Sequence, residues 1–495
     1  MPAITAKQSK VAKNKKPNIF VRIGTGIKDF FVNFGKRFID GSIGTKLSHF
    51  ILGAGNFYHK QWIKGSIYLI LQILFVLFMV LCPEVNNTPY GYKALINLRL
   101  TGNETQGFDP ATGKILQPDD SKLFLLFGLI TIAVIILYII LWFSAIKSSY
   151  KADQDVKKGL KPTTFKQDCQ ALLDSRFHIL MLTPTCLAAL VFSLLPTIFM
   201  ICMAFSTYNV LEMNAVPTTL FHWNGFNNFA YMFTGQSRLG AEIKARFFPV
   251  LGWTFIWAIL ATFTCYFGGI VLAILINKKG IKGKKIFRTI FILTIAIPQF
   301  ISLLAMRNLL SDNGPINQLL MDWGWTKSAI AFLGNHAQVS PQDPYVAKLM
   351  VVLINMWLGI PYTMLMTSGI LMNIPSDLYE AGRVDGASNF KMFFKITLPY
   401  VIFVTTPYLI SSFVGNINSF NTIFLLTGGG PSVTTGSYVA GETDLLVTWL
   451  YKLTIDNGDY NTGAVIGILT FAITATITLF TYRRSKAYNE EDTFQ

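Results

Sequence analysis

The sequence predicts an all-α integral membrane protein with eight transmembrane helices and both termini cytoplasmic. Three observations point there. Charged residues make up only 14% of the 495 residues and hydrophobic ones 52%, where a typical soluble domain is roughly 25% charged. Eight apolar runs contain no Asp, Glu, Lys or Arg. The basic residues then collect on alternate connections between those runs. A chain so composed cannot clothe a water-facing surface in polar groups, and it is not disordered, collagen-like or a disulfide scaffold.

Taken in order, the runs are 66–82, 123–143, 179–204, 249–276, 289–306, 349–371, 400–426 and 463–482. Crossing hydrocarbon takes about 20 mostly apolar residues, and backbone amides in lipid must be satisfied within the segment, so each run is expected to be a helix. The first is short and the fifth contains Pro298, which leaves their boundaries soft.

Lys and Arg set the orientation. The tail 1–65 carries 12, loop 144–178 seven, loop 277–288 six, and loop 372–399 and the tail 483–495 three each. The opposite set has three each in 83–121, 205–248 and 307–348, and one in 427–462. The richer set, 31 against 10, is assigned to the cytoplasm. Residues 1–65 then read as a basic cytoplasmic tail without a cleavable signal peptide. Its KQSKVAKNKK stretch reads as a solvated segment, with attraction to anionic lipid as the alternative. Residues 66–178 supply two accessory helices around an outside loop, 83–121, that has no domain of its own. Two Asn-x-Thr triplets there, Asn86-Asn87-Thr88 and Asn103-Glu104-Thr105, recur by chance and carry no weight.

Several chemistries are excluded. The net charge of +16 invites nucleic acid, but no zinc-finger, RNA-binding or helix-turn-helix signature accompanies it. Cys82, Cys169, Cys186, Cys202 and Cys265 form no CxxC pair, and the five histidines form no HExxH, so no metal site or disulfide framework is expected. Ion-coupled carriers and channels place ionisable groups inside the membrane, and the eight runs have none. No GxxxxGK[ST] phosphate loop occurs, so ATP and Mg, if used, belong to another chain. A membrane glycosyltransferase would need an acidic cluster at a membrane edge. Glu442 and Asp444 are the one close pair there, and they read as solvated loop charges.

The loop IPSDLYEAGRVDGASNFKMFFKITLPY, residues 374–400, reads as two short helices around a glycine break. Asp377 is placed to cap the first, with Glu380 three residues on. Gly386 suits a left-handed C′ position. Phe390, Phe393 and Phe394 give the second helix an apolar face, and Pro399 opens the next membrane helix.

This loop resembles the EAA loop of the membrane subunits of bacterial ABC importers, which reads EAA, three residues, G, nine residues, I, one residue, LP. Here it is Glu380-Ala381-Gly382, Gly386, Ile396 and Leu398-Pro399, with every spacing kept. Gly382 replaces the second Ala, and Asp385-Gly386-Ala387 matches the carbohydrate-importer form. Residues 349–375 and 415–431 are similar to the maltose-type permease, and the likeness extends over 179–482. Residues 52–65 resemble the N-terminal region of Gram-positive members. The large outside domain that some maltose permeases carry after the third helix is missing, with 205–248 in its place.

The resemblance implies a type I ABC importer core in 179–482, with loop 375–399 docking on an ATPase. It implies a bacterial plasma-membrane permease for an oligosaccharide of maltodextrin type. The partners would be a second homologous permease, an ATPase dimer that holds ATP and Mg, and an extracytoplasmic sugar-binding protein; this chain would bind no cofactor. Another sugar or glycerol-3-phosphate is the alternative cargo, although a phosphate would call for Arg or Lys along the path.

Asn355, Leu358, Gly359 and Tyr362 fall at i, i+3, i+4, i+7 on the sixth predicted helix, and Ser412, Gly415, Asn416 and Ser419 repeat that spacing on the seventh. Spacing alone fits helix packing as well as a sugar site. The resemblance implies the latter, with Gly415 standing where an aromatic is expected and Ser419 where an amide is expected, hence a roomier site.

Overall fold

The computed structural model describes residues 19–85, 88–100, 107–109, 114–116, 119–209, 220–236, 238–278, 280–334, 344–432 and 440–484. The KQSKVAKNKK stretch, both Asn-x-Thr triplets in whole or part, and tail residues 485–495 lie outside the described residues. The chain divides into two compact units, Met1–Phe199 and Met200–Gln495.

In the first unit α1 (Ile19–Asp40) precedes two apolar helices, α2 (Trp62–Leu81) and α3 (Ser121–Lys157). These pack through rings: Phe75 stacks on Tyr138 with centroids 3.8 Å apart. The apolar run of α3 ends at residue 143, but the helix continues to Lys157. Residues 144–157 of the predicted loop 144–178 are therefore helix. Asp120 caps α3 by accepting from the Lys122 amide at 2.8 Å. α4 (Phe165–Leu173) opens with a capping box between Thr164 and Gln167. Between α2 and α3 lie a short helix, Gly91–Asn97, and two small antiparallel pairs, Glu84–Val85 with Thr88–Pro89 and Gly107–Asp109 with Lys114–Leu116.

Helix α5 (Phe177–Ala204) contains the divide between the units. The second unit continues with α6 (Arg238–Asn277), α7 (Lys284–Ala296), α8 (Gln299–Leu309), α9 (Pro344–Met372), α10 (Ser376–Val384), α11 (Asn389–Ile417), α12 (Phe420–Leu426) and α13 (Tyr460–Arg484). Among the described residues, seven helices are apolar and long enough to cross a membrane, and α7 with α8 makes an eighth crossing only if counted as one broken span. That pair bends by 94° at Ile297-Pro298. Ile297 is extended, with ψ 126°, as expected for a residue before proline. The predicted run 400–426 is also two helices. α11 stops at Ile417, where the Asn418 side chain bonds back to the Val414 carbonyl at 3.3 Å, a local bond that competes with helix continuation.

Two π turns have a common cause. One spans Leu190–Leu194 before Leu195-Pro196, the other Phe393–Thr397 before Leu398-Pro399. A proline in a regular helix clashes with the carbonyl four residues back. Widening the preceding turn, so that Leu195 bonds Leu190 and Leu398 bonds Phe393, moves that carbonyl aside and lets the helix run on.

The core of the second unit is α6 against α9. Small residues let the backbones approach: a Cβ at Gly268 would lie 2.7 Å from Ile360 Cδ1, and one at Gly359 2.6 Å from Cys265 Sγ. Trp257, fully buried, donates to the Asn416 carbonyl at 3.1 Å and ties α11 to α6. Tyr266 and Thr405 hydroxyls meet at 2.6 Å two to three turns further along the same pair of helices.

Candidate functional site

Two groups of residues carry the functional reading. The first is the segment 374–400. Helix α10 begins at Ser376 after Pro375, which makes no side-chain cap. Asp377 therefore does not cap, contrary to the reading from sequence. It sits inside the first turn, where its charge complements the helix dipole and it accepts from Ser376 Oγ at 3.3 Å. A Pro at N-cap has no donor to lose, so the chain can start the helix two residues earlier than the Asp signal suggests.

Gly386 has φ +70°. The Ala387 amide bonds the Gly382 carbonyl at 2.8 Å and the Gly386 amide the Arg383 carbonyl at 3.0 Å, the two bonds of a Schellman motif. Ser388 then caps the next turn by accepting from the Lys391 amide at 3.3 Å. The second short helix is not separate: it is the first turn of α11, and Pro399 lies inside that helix just after the π turn. Tyr379 on α10 and Thr397 in the π turn join hydroxyls at 2.9 Å.

Gly382 has a reason to lack a side chain. A Cβ there would sit 3.3 Å from Met392 Cγ and Sδ and 3.5 Å from Ile396 Cδ1, so the glycine admits the buried Met392 beneath α10. Phe393 and Leu398 hold the segment to the bundle, and Ile396 and Thr397 pack beneath α10, while Glu380, Ala381, Asp385 and Gly386 are exposed. So are Val384, at 88%, and Phe390, at 74%. The result is a rigid, glycine-stopped turn displaying both apolar and acidic groups.

The second group lies on α9 and α11, and the structure divides it. Asn355 and Gly359 pack on α6: the Asn355 carbonyl accepts from Cys265 Sγ at 3.5 Å, and its amide lies 3.4 Å from the same sulfur. Leu358 packs on the main core cluster. Tyr362 is exposed, with its ring 5.9 Å from that of Tyr408 on α11. On α11, Ser412 is half-buried, Gly415 has no atom within 4 Å of where a Cβ would stand, and Asn416 Nδ2 donates to Thr262 Oγ1 at 2.9 Å. Ser419 is not on this face. It lies beyond the end of α11, at the start of α12, and donates to Thr422 Oγ1 at 3.1 Å. Polar residues after Gly415 end the helix, so the i+7 spacing no longer applies.

A charged cluster at the far ends of α6 and α9 was misread from sequence. Glu442 bridges Arg246 of α6, at 3.3 Å, and Lys348 of α9, at 2.7 Å. Lys348 also lies 5.1 Å from the centre of the Trp253 ring. Asp444 is fully buried and accepts from Lys452 at 2.6 Å, Thr448 Oγ1 at 2.9 Å and the Gly441 amide at 2.8 Å. Neither is a solvated loop charge: Asp444 is buried, Glu442 half-buried, and both are paired. The available signal was that Arg246 and Lys348 sit at the edges of two apolar runs. Burial pushes the Glu442 carboxyl up, yet the hydrogen bond and charge of Lys348, then those of Arg246, outweigh it and hold it below its ordinary value.

The chain is similar to several known proteins. Residues 266–486 match the family described as binding-protein-dependent transport system inner membrane component. The galactooligosaccharides transport system permease protein GanP of Bacillus subtilis is 33% identical over 89% of this chain and 97% of its own length. The maltodextrin transport system permease protein MalC of Streptococcus pneumoniae is 32% identical over 89% and 95%. The maltose/maltodextrin transport system permease protein MalF of Escherichia coli is 35% identical over 53% of this chain and 49% of its own.

Proposed function

The chain belongs to the family of binding-protein-dependent transport system inner membrane components, and from that premise we propose that it forms, with a second homologous permease, the membrane path of an ATP-driven importer for an oligosaccharide of maltodextrin type. It is a multi-pass membrane protein and a transport subunit, not an enzyme. Both termini face the cytoplasm and the chain crosses eight times, α7 and α8 together making the broken fifth crossing. The split of basic residues supports this orientation.

In that frame the 374–400 segment faces the cytoplasm and docks on the ATPase dimer, where ATP and Mg are bound. Glu380, Asp385 and the exposed Val384 and Phe390 form the contact. Gly386 fixes its shape. The sugar arrives from an extracytoplasmic binding protein and passes between the α9 and α11 faces, where Tyr362 offers a ring and Gly415 an open space. Asn416 and Ser412 supply hydrogen-bonding groups there, and Asn355 would join them only by leaving Cys265 of α6. The names of the relatives cover both maltodextrin and galactooligosaccharide transport, in keeping with an oligosaccharide cargo.

The single observation that carries the proposal is the Schellman-stopped, outward-facing turn at Gly382–Ala387 on a chain that has no phosphate loop of its own. Purification of the tagged chain from its native membrane tests it. A second permease, an ATPase and a sugar-binding protein are expected to co-purify. A chain that purifies alone, or with no ATPase, under conditions that preserve transport would overturn it.

A further inference from the structure

The first unit contains a cavity of about 410 Å³ between α2, α3, α4 and the start of α5. Its rim is basic. Lys147 and Lys151 stand one turn apart on α3 and Arg176 precedes α5; all three are exposed, and among the described residues their side chains make no ion pair or hydrogen bond. Lys64, by contrast, is buried and already engaged by Asp168 and by Thr163, so it adds field without being free. Asp168 is the one acidic side chain in the lining.

The other side of the cavity is made of membrane residues. Tyr68 belongs to the apolar run 66–82 and Ile179 to the run 179–204. The cavity therefore straddles the level at which the helices enter hydrocarbon, with cations towards water and apolar groups towards lipid. The Tyr68 hydroxyl, 3.3 Å from Ser144 Oγ, marks the boundary between the two, a usual place for tyrosine.

From this juxtaposition we propose that the cavity binds the headgroup of an anionic phospholipid, its phosphate held by Lys147, Lys151 and Arg176 and its upper chains lying beside Tyr68 and Ile179. Pockets of this size hold small-molecule groups, and basic pockets between membrane helices suit phosphate headgroups. A soluble phosphate matches the cations but leaves the apolar side unused, which is why the lipid is preferred. The assignment draws on the proposed orientation only for which leaflet supplies the lipid.

The test is native mass spectrometry of the purified transporter containing the full chain, titrated with phosphatidylglycerol and, separately, phosphatidylcholine of the same chains. The wild type is expected to retain phosphatidylglycerol preferentially. The K147Q/K151Q/R176Q variant is expected to lose that preference by roughly a hundredfold, from about fivefold per basic group near a lipid surface. The K147R/K151R/R176K variant, matched in charge, is expected to keep it, which separates lost binding from misfolding. Equal retention of the two lipids by the wild type would overturn the proposal, as would an undiminished preference in the glutamine variant. Displacement by millimolar inorganic phosphate, with no dependence on lipid type, would also overturn it and assign the cations to a soluble anion. Sidedness is read separately, by thiol labelling, so failure here leaves the orientation untouched.

Discussion

Replacing Gly386 probes the turn that the proposed coupling depends on. Its φ of +70° lies in the left-handed region, and no heavy atom comes within 4 Å of where a Cβ would stand. The penalty for a side chain is therefore one of backbone conformation, not of collision. An L-residue in this region costs roughly 1–2 kcal/mol, and a β-branched one is a severe outlier. At about 2 kcal/mol the population of the docking-ready turn falls about 30-fold in Gly386→Val, and apparent affinity for the ATPase falls with it. Because the turn is exposed, the bundle has nothing to repack, and expression and thermal stability are expected to stay near wild type. Asn tolerates this conformation best after Gly, so the order of sugar-stimulated ATPase activity should be Gly, Asn, Ala, Val. The assay is ATPase stimulation by liganded binding protein in proteoliposomes, beside sugar uptake. Normal coupling in the Val variant would refute the reasoning. So would an Asn variant as damaged as Val, since that points to a need for bare backbone at the docking face.

Three further outcomes are expected. In a cysteine-free variant, Ile96→Cys and Trp325→Cys, both at exposed positions, should react with an impermeant thiol reagent from outside, and Leu160→Cys and Asn389→Cys only after permeabilisation; labelling of position 389 in intact cells contradicts the orientation. Tyr362→Ala and Asn416→Ala should impair uptake severalfold, in line with about 0.5–1.5 kcal/mol per lost hydrogen bond, with assembly and basal ATPase activity intact. Thr262→Val removes only the packing partner of Asn416, and if it impairs uptake equally, Asn416 is a packing residue. Glu442→Gln should lower the thermal midpoint by loosening a charge-assisted contact worth about 1.5–3 kcal/mol. Since the folded Glu442 pKa lies below its ordinary 4.5, that stabilisation is complete above pH 4.5 and is lost as pH falls through the lowered value; a difference between wild type and variant that vanishes near neutral pH contradicts the clamp.

How far the sequence discloses this protein depends on which forces are local. Apolar runs and the bias of Lys and Arg report on lipid, which every residue meets alike, so the membrane class, the approximate spans and the left-handed Gly386 are readable. The limits lie where a neighbour decides. Nothing in EAGR says that Gly382 makes room for Met392. The Leu-Pro pairs signal a helix start, yet the π turns before them let α5 and α11 run on. Pro298 was visible as a soft point, but its 94° bend was not. Glu442 looked solvated because its partners Arg246 and Lys348 lie 94 or more positions away in sequence, and Asp444 because nothing local shows that Lys452 and Thr448 close over it. Of the proposed sugar face, Tyr362 and Asn416 do lie on α9 and α11 as the spacing has them, while the end of α11 at Ile417 removes Ser419.

The most direct measurement is uptake of labelled maltodextrins and galactooligosaccharides into proteoliposomes assembled from this chain, its co-purifying permease and ATPase, and the sugar-binding protein. Accumulation of at least one oligosaccharide class is expected to require ATP and this chain together, and to be lost with Gly386→Val while the complex remains assembled. Uptake that proceeds without ATP, or in vesicles lacking this chain, would contradict the assignment of a coupled permease.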